Sequence, residues 1–268
     1  MTVYFIGAGP GAADLLTLRA DRLIRTCDMC LYAGSIVPDE VLAHTPEGAE
    51  VINTARMPLE EIIATIIRAD SEGKNIARLH SGDPTLYSAV AEQIRRLTEA
   101  GIAYEIVPGV PAFSAAAASL GHELTVPTVG QTVILTRVSG RASAMPEGED
   151  LPTLGASGAT MVIHLATHDI RRVVAELTPN YGPDCPVAVV AFASRPAEVI
   201  VRGTLADIAE QVELAGITRT AVIIVGRVLQ ATEFPDSFLY SDDRPRDDEG
   251  RTIPCMHYFW VVLMRAGS

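Results

Sequence analysis

Lysine is almost missing from this chain. Of 21 basic residues in 268, Lys74 alone is a lysine and the rest are arginines. Basic residues are short overall, against 33 acidic ones and a formal net charge of −12. That balance excludes the broad basic face that nucleic acid requires. A locally basic cleft is still compatible with it, and arginine grips carboxylates bidentately. Long apolar runs are also lacking: none approaches the roughly 20 residues of a membrane span. The start, MTVYFIGAGPG, has no basic region and breaks into glycine after four apolar residues. It reads as a first strand rather than a secretion signal. Cysteine is scarce, and Cys27, Cys30, Cys185 and Cys255 form no secreted disulfide pattern in a chain this long. Cys27 and Cys30 have CxxC spacing, but no second CxxC follows. Core packing is therefore expected of them, with no metal site. The expected address is the cytoplasm.

What the chain has is a globular composition, 48% hydrophobic and 20% charged, at a length suited to one large domain or two ordinary ones. The first half alternates strand and helix. Strands are expected at Val3–Ile6, Met29–Tyr32, Val51–Asn53, Ile76–Leu79 and Tyr104–Val107. Helices are expected at Asp14–Thr26, at Leu59–Ser71, from the Ser81–Pro84 loop to about Ala100, and at Ala112–Leu120. Such alternation predicts a parallel sheet covered on both faces. The stretch Leu124–Gln131, with Pro127 and Gly130, reads as a crossover into a second unit. There strands are expected at Thr132–Thr136, Thr160–Leu165, Val187–Phe192, Val199–Arg202 and Ala221–Val225. Helices are expected at Thr167–Leu177 and Leu205–Ala215, and Ser139–Ser157 is expected to be a loop.

Chemistry is expected at the loops that follow the first-half strands. Gly7-Ala8-Gly9-Pro10-Gly11-Ala12 meets the dinucleotide pattern after a strand. Three features oppose a nicotinamide or nucleotide site. Pro10 removes an N–H where a pyrophosphate wants donors, the second strand ends without a ribose-binding acid, and no Lys-Ser/Thr follows. Two further loops, Gly82-Asp83-Pro84 and Pro108-Gly109-Val110-Pro111, end strands of the same sheet. In a parallel sheet all three lie on the carboxyl edge, where ligands bind. They offer backbone groups and one carboxylate rather than a nucleophile or phosphate cradle. That chemistry suits a polar, adenosine-bearing ligand without phosphates.

The blocks VYFIGAGPGAADLLTLRA, LYAGSIV, LHSGDPTLYSAV, EIVPGVPAFSAAAA, ELTVPTVGQTVILTR and TAVIIVGRVL are, in this order, similar to those of the tetrapyrrole (class III) S-adenosylmethionine-dependent methylases. The resemblance spans about residues 2 to 232. It implies an α/β fold of two α/β/α domains, with a mostly parallel sheet in residues 1–127 and a mixed sheet in 128–234. It further implies a homodimer, and S-adenosylmethionine held in the cleft between the domains. Pro10 should border the donor; Ser81, Gly82 and Asp83 should meet its amino acid and ribose end. Tyr87 should wall the pocket, and Pro111 and Ala112 should line its floor, Pro111 through backbone only. Leu165, Ala193 and Ala221 should contact adenine. The combination of YAGS, HSGDPTLY and QTVILTR implies methyl transfer to C-11 of precorrin-4, giving precorrin-5 on the way to cobalamin. Such a substrate carries acetates and propionates, for which Arg137 and then Arg56 are the candidate partners. His80, Asp83 and Tyr87 share one loop, and none is assigned as a catalytic base.

Two rivals stay open. One is another tetrapyrrole methylase, acting on cobalt-precorrin-4, precorrin-2 or uroporphyrinogen. The other is a non-catalytic nucleotide-binding regulatory protein. Residues 235–268 read as a partly charged tail, disordered or an expression artefact; the part after about Gly250, with the apolar run His257–Met264, is not expected in the family and reads as an extra strand or an artefact.

Overall fold

The structure, a computed structural model, describes residues 1–139, 144–237 and Arg244. Cys255 and the apolar run His257–Met264 lie outside the described residues, as does nearly all of the expected tail.

The first sheet contains β1 (Val3–Gly7), β2 (Met29–Tyr32), β3 (Glu50–Asn53), β4 (Ile76–His80) and β5 (Tyr104–Val107). Its order is β3-β2-β4-β1-β5, and every pairing is parallel. Helices α1 (Leu18–Ile24), α2 (Asp39–Leu42), α3 (Leu59–Ser71) and α4 (Ala91–Glu99) cover it. The two-residue period of the strands decides which helix each side chain meets. Val3, Phe5 and Ile76 pack with Ile62, Ile63 and Ile66 of α3 and Leu97 of α4. Ile6, Ala77 and Leu79 turn the other way, onto Ala20 and Ile24 of α1 and Val41 of α2. Each fully buried valine, isoleucine, leucine or phenylalanine among these contributes about 1.5–3 kcal/mol. Cys27 and Cys30 belong to this second cluster. Burial pushes their thiols up to about 11 and about 12, which removes the thiolate needed for redox or metal chemistry.

Helix α5 (Ala112–Leu120) leads to the second sheet. This contains β6 (Val133–Arg137), β7 (Thr160–His164), β8 (Pro186–Ala191), β9 (Val199–Thr204) and β10 (Ala221–Val225), in the order β6-β7-β10-β8-β9. Only β6 and β7 pair in parallel; the other pairings are antiparallel, so the sheet is mixed. On one face Met161, Ile163, Val189 and Ile223 pack with residues of α6 (Leu151–Gly155), α7 (Ile170–Tyr181) and α8 (Ile208–Leu214). On the other, Val162, Val190 and Ile224 pack against Ala115, Ala116 and Leu120 of α5. The alanines of α5 thus let a helix from the first half lie close on the second sheet.

Three local expectations are corrected. The helix expected at Asp14–Thr26 is broken into a 3-10 turn (Ala13–Leu15) and α1, because Leu16 and Thr17 are extended. The Thr17 hydroxyl accepts from Ala20 N at 3.1 Å and so starts α1 afresh. The stretch 139–157 includes α6, begun by Asp150, whose carboxylate accepts from Thr153 N at 2.9 Å. The helix expected directly after Pro84 starts only at Ala91. Tyr87 and Ala89 have φ of 53° and 51°, which an α-helix cannot contain.

Candidate active site between the two sheets

The three glycine-proline loops are stitched together by backbone. Gly9 N donates to Gly82 O at 3.2 Å and Gly82 N to Gly9 O at 2.7 Å. Gly109 N donates to Asp83 Oδ2 at 2.9 Å. Two glycines are required by the closeness of these strands. A Cβ on Gly7 would lie 2.5 Å from Gly109 Cα, and one on Gly109 would lie 2.3 Å from Gly82 O. Gly82 is required for a different reason: its φ of 67° is left-handed, while a Cβ there would meet nothing nearer than 3.6 Å. A Cβ at Gly82 would rest in ordinary contact with Pro111 and Ala112 of the third loop.

The second sheet brings its loops to the same place. Leu165 follows β7, Phe192 follows β8 and Thr220 precedes β10, and all three have φ between 52° and 55°. Left-handed backbone at a non-glycine residue costs on the order of 1–3 kcal/mol and persists only where packing enforces it. The two halves are pinned beside these loops. Ala12 N donates to Ser194 Oγ at 3.1 Å, and Glu198 accepts from Ser194 N at 2.8 Å and from Ser119 Oγ at 2.6 Å. Arg195 crosses Gly11 and donates through Nη2 to Ile36 O.

Between the sheets lies a cavity of about 680 Å³. Pro10, Ser81, Gly82, Asp83, Tyr87, Pro111, Ala112, Leu165, Ala193 and Ala221, singled out from the sequence, all line it. Arg137 does not; it ends β6 and donates to Val138 O at 3.1 Å and Ala144 O at 3.2 Å. Arg56 is exposed after β3, away from the cavity lining. The lining includes His164, Phe192 and Arg219, which the sequence reading passed over. His164 was legible in principle. With Thr160 and Val162 it shares the α5-facing side of β7, so a polar residue there, at the strand's carboxyl end, meets the cleft.

Among the residues that line the cavity, Asp83 is the one carboxylate and Arg219 the one guanidinium. Asp83 is pushed up by partial burial, but hydrogen bonds from Thr85 and Gly109 outweigh this and hold its carboxyl below the usual range. Oδ1 accepts from Thr85 N at 2.8 Å and from the Thr85 hydroxyl, and Oδ2 accepts from Gly109 N. Three of its roughly four acceptor positions are thus taken. Burial, helped by the neighbouring Arg78 charge, drives His80 down to about 3, so it is neutral at physiological pH. His164 is lowered by burial and stands between the rings of Tyr87, at 5.4 Å, and Phe113, at 6.4 Å. The arrangement has room for a folded, adenosine-bearing ligand between the two sheets. It presents no activated nucleophile, and the described residues contain no cluster of three metal-ligating side chains.

Known proteins agree with this architecture. Residues 2–209 match the tetrapyrrole (corrin/porphyrin) methylases. The precorrin-4 C(11)-methyltransferase of Rhodococcus erythropolis is 66% identical over 246 residues, 92% of this chain and 99% of that one. The crystal structure of a cobalt precorrin-4 methyltransferase of cobalamin biosynthesis superimposes with a TM-score of 0.83 at 41% identity, covering 86% of this chain and 96% of the other. A uroporphyrin-III C-methyltransferase from Thermus thermophilus, solved with S-adenosyl homocysteine, gives 0.74 at 28% identity, covering 86% and 99%. With two α/β units closing over one cavity and a family match along most of its length, the chain belongs to the tetrapyrrole methylases.

Proposed function

We propose that the protein transfers a methyl group from S-adenosylmethionine to C-11 of precorrin-4, giving precorrin-5 in cobalamin biosynthesis. The observation that carries the choice of carbon is the 66% identity, over nearly the whole length of both chains, to a precorrin-4 C(11)-methyltransferase. The cavity supports the donor: it lies between the two sheets, is bordered by glycine backbone, and is lined mostly by apolar side chains. Residues 1–127 and 128–234 act as the two domains that close on it, with α5 joining them.

In this reading Ser81, Gly82 and the last free acceptor position of Asp83 hold the amino acid and ribose end of the donor. Leu165, Ala193 and Ala221 face adenine; Pro10, Tyr87, Pro111 and Ala112 complete the walls. The ring carbon attacks the methyl carbon in line with the breaking S–C bond, and sulfur leaves as a neutral thioether. Alignment and exclusion of water supply most of the acceleration, of order 7–11 kcal/mol for well-held reactants. Arg137 and Arg56 are proposed to meet substrate carboxylates outside the donor cavity, with the enzyme a homodimer of the cytoplasm. Unpaired Cys27, Cys30 and Cys185 are in keeping with a reducing compartment.

A second reading is favoured by one observation, the structural match to a cobalt precorrin-4 methyltransferase. Purified precorrin-4, with and without cobalt, should be offered with donor carrying a 13C methyl group. Label appearing at C-11 of the metal-free product is the expected outcome. Label only with cobalt selects the second reading, and label at another carbon overturns both. Sedimentation of the same preparation tests the dimer.

A further inference from the structure

A buried cation sits beneath the site without a carboxylate partner among the described residues. Arg78, in the middle of β4, is 4% exposed. Its Nε donates to Gln93 Oε1 at 3.1 Å and its Nη1 to Thr54 Oγ1 at 2.8 Å. Gln93 and Thr54 are themselves 4% and 5% exposed. Each partner passes the connection on toward a loop that lines the cavity. Gln93 Nε2 donates to Ala89 O at 2.8 Å. Thr54 donates from Oγ1 to Tyr32 O at 3.0 Å, beside Ala33, and its backbone N–H makes a second bond to the same oxygen at 2.7 Å.

The Gln93 arm ends where the backbone is least content. Tyr87 and Ala89 both hold left-handed φ values that only a surrounding structure can enforce. Between them Ser88 is tied by its hydroxyl to Asp83 O at 3.1 Å and Leu86 O at 3.0 Å. This segment swings the Tyr87 ring across the cleft onto His164 of the second sheet. Tyr87 is thereby a wall of the cavity made by the first half and seated on the second. A glutamine amide suits this junction, since its oxygen takes the guanidinium and its nitrogen is left to hold a carbonyl. Glutamate would serve Arg78 equally well and could not hold Ala89.

We propose that Gln93 is a positioning residue: by bonding Arg78 and Ala89 O at once, it holds the left-handed Tyr87–Ala89 segment in place and so sets the Tyr87 wall of the donor cavity. The proposal rests on the reading of the cavity as the donor site. It is tested by calorimetry with S-adenosylhomocysteine on the full chain. Gln93→Glu keeps the acceptor for Arg78 and loses the donor to Ala89; its Kd should rise about tenfold, the scale of one lost hydrogen bond. Thr54→Val removes the other partner of Arg78 but leaves Tyr32 O its backbone bond. It should melt earlier yet bind as wild type. Ala89→Gly added to Gln93→Glu should recover most of the affinity, because glycine takes this backbone without a brace. Wild-type binding by Gln93→Glu overturns the proposal, as does affinity falling in both single variants in step with melting temperature. If Gln93→Glu does not fold alone, a folded and tightly binding double variant supports the role, and a double variant that also fails to fold reduces Gln93 to a structural part. Wild-type protein that binds no S-adenosylhomocysteine overturns the donor reading itself, a result separable from all of these.

Discussion

Single residues at the cavity do their work through backbone geometry more than through side-chain chemistry. Gly109 and Gly82 illustrate two distinct demands on glycine. At Gly109 a methyl group would collide with Gly82 O, a backbone atom that cannot step aside. At Gly82 a methyl group has room and only the left-handed φ is costly, about 1–2 kcal/mol. Chemical denaturation should therefore show Gly109→Ala losing clearly more stability than Gly82→Ala. Equal losses would mean the loops can separate freely. The buried histidine offers a pH test. His80 falls from an ordinary 6.5 to about 3, so the folded state resists protonation that the unfolded chain accepts. Its contribution is complete above about pH 6.5 and is lost progressively as pH falls toward 3. His80→Leu should flatten the decline of melting temperature over that window, while leaving S-adenosylhomocysteine binding at pH 8 intact. Asp83 is already committed to Thr85 and Gly109. Asp83→Asn would set an amide nitrogen against at least one of the three donors that now meet the carboxylate, so weaker donor binding with a lower melting temperature is expected. A turnover defect with unchanged affinity would instead mark Asp83 as a base.

At the scale of elements, capping side chains decide boundaries that periodicity leaves open. The apolar pattern from Asp14 to Thr26 runs on without interruption, yet the helix begins only after Thr17. That threonine has a second attachment, its hydroxyl lying 3.4 Å from Pro108 O in the third glycine-proline loop. It links the start of α1 to the edge where the cavity forms. Thr17→Val should cost about 1 kcal/mol in urea unfolding, the usual worth of such a cap. No measurable loss would show that the 3-10 turn before it is enough to start α1. The strands were legible to within one or two residues: β1, β4, β8 and β10 are buried along nearly their whole length and read as apolar runs, and the edge strands β3, β5 and β9 are short stretches bounded by glycine, proline and polar residues. The segment from Leu86 to Val90 was not legible. Its residues carry no glycine to announce left-handed backbone, and what holds it, Gln93 and Ser88, depends on contacts made after folding.

For the whole molecule, the cavity belongs to neither sheet alone. Ser194, Arg195 and Glu198 of the second half reach Ala12, Ile36 and Ser119, while Tyr87 reaches His164. A ligand seated there should stabilise both halves together. At a hundredfold excess over its Kd, S-adenosylhomocysteine should add about 2.7 kcal/mol to unfolding, with one transition retained. NAD should add nothing. Two separate transitions, with only one shifted by the ligand, would show that a single half holds it.

The amino-acid order by itself carried the two α/β units, the three loops on one sheet edge and the ten residues gathered at the cavity. These follow from short-range causes: apolar period, glycine where strands turn, and blocks shared in order along a family. Tertiary structure alone decided which polar groups those loops would spend on each other. Asp83 turns to Gly109, 26 positions away, and Arg195 reaches Ile36 O, 159 positions away. It also left Arg137 and Arg56 off the cavity while placing His164 and Arg219 on it. An arginine's place at a strand end is readable from spacing, but where its guanidinium goes is not. That depends on how the second sheet packs on α5, and so on long-range contacts that no local pattern encodes.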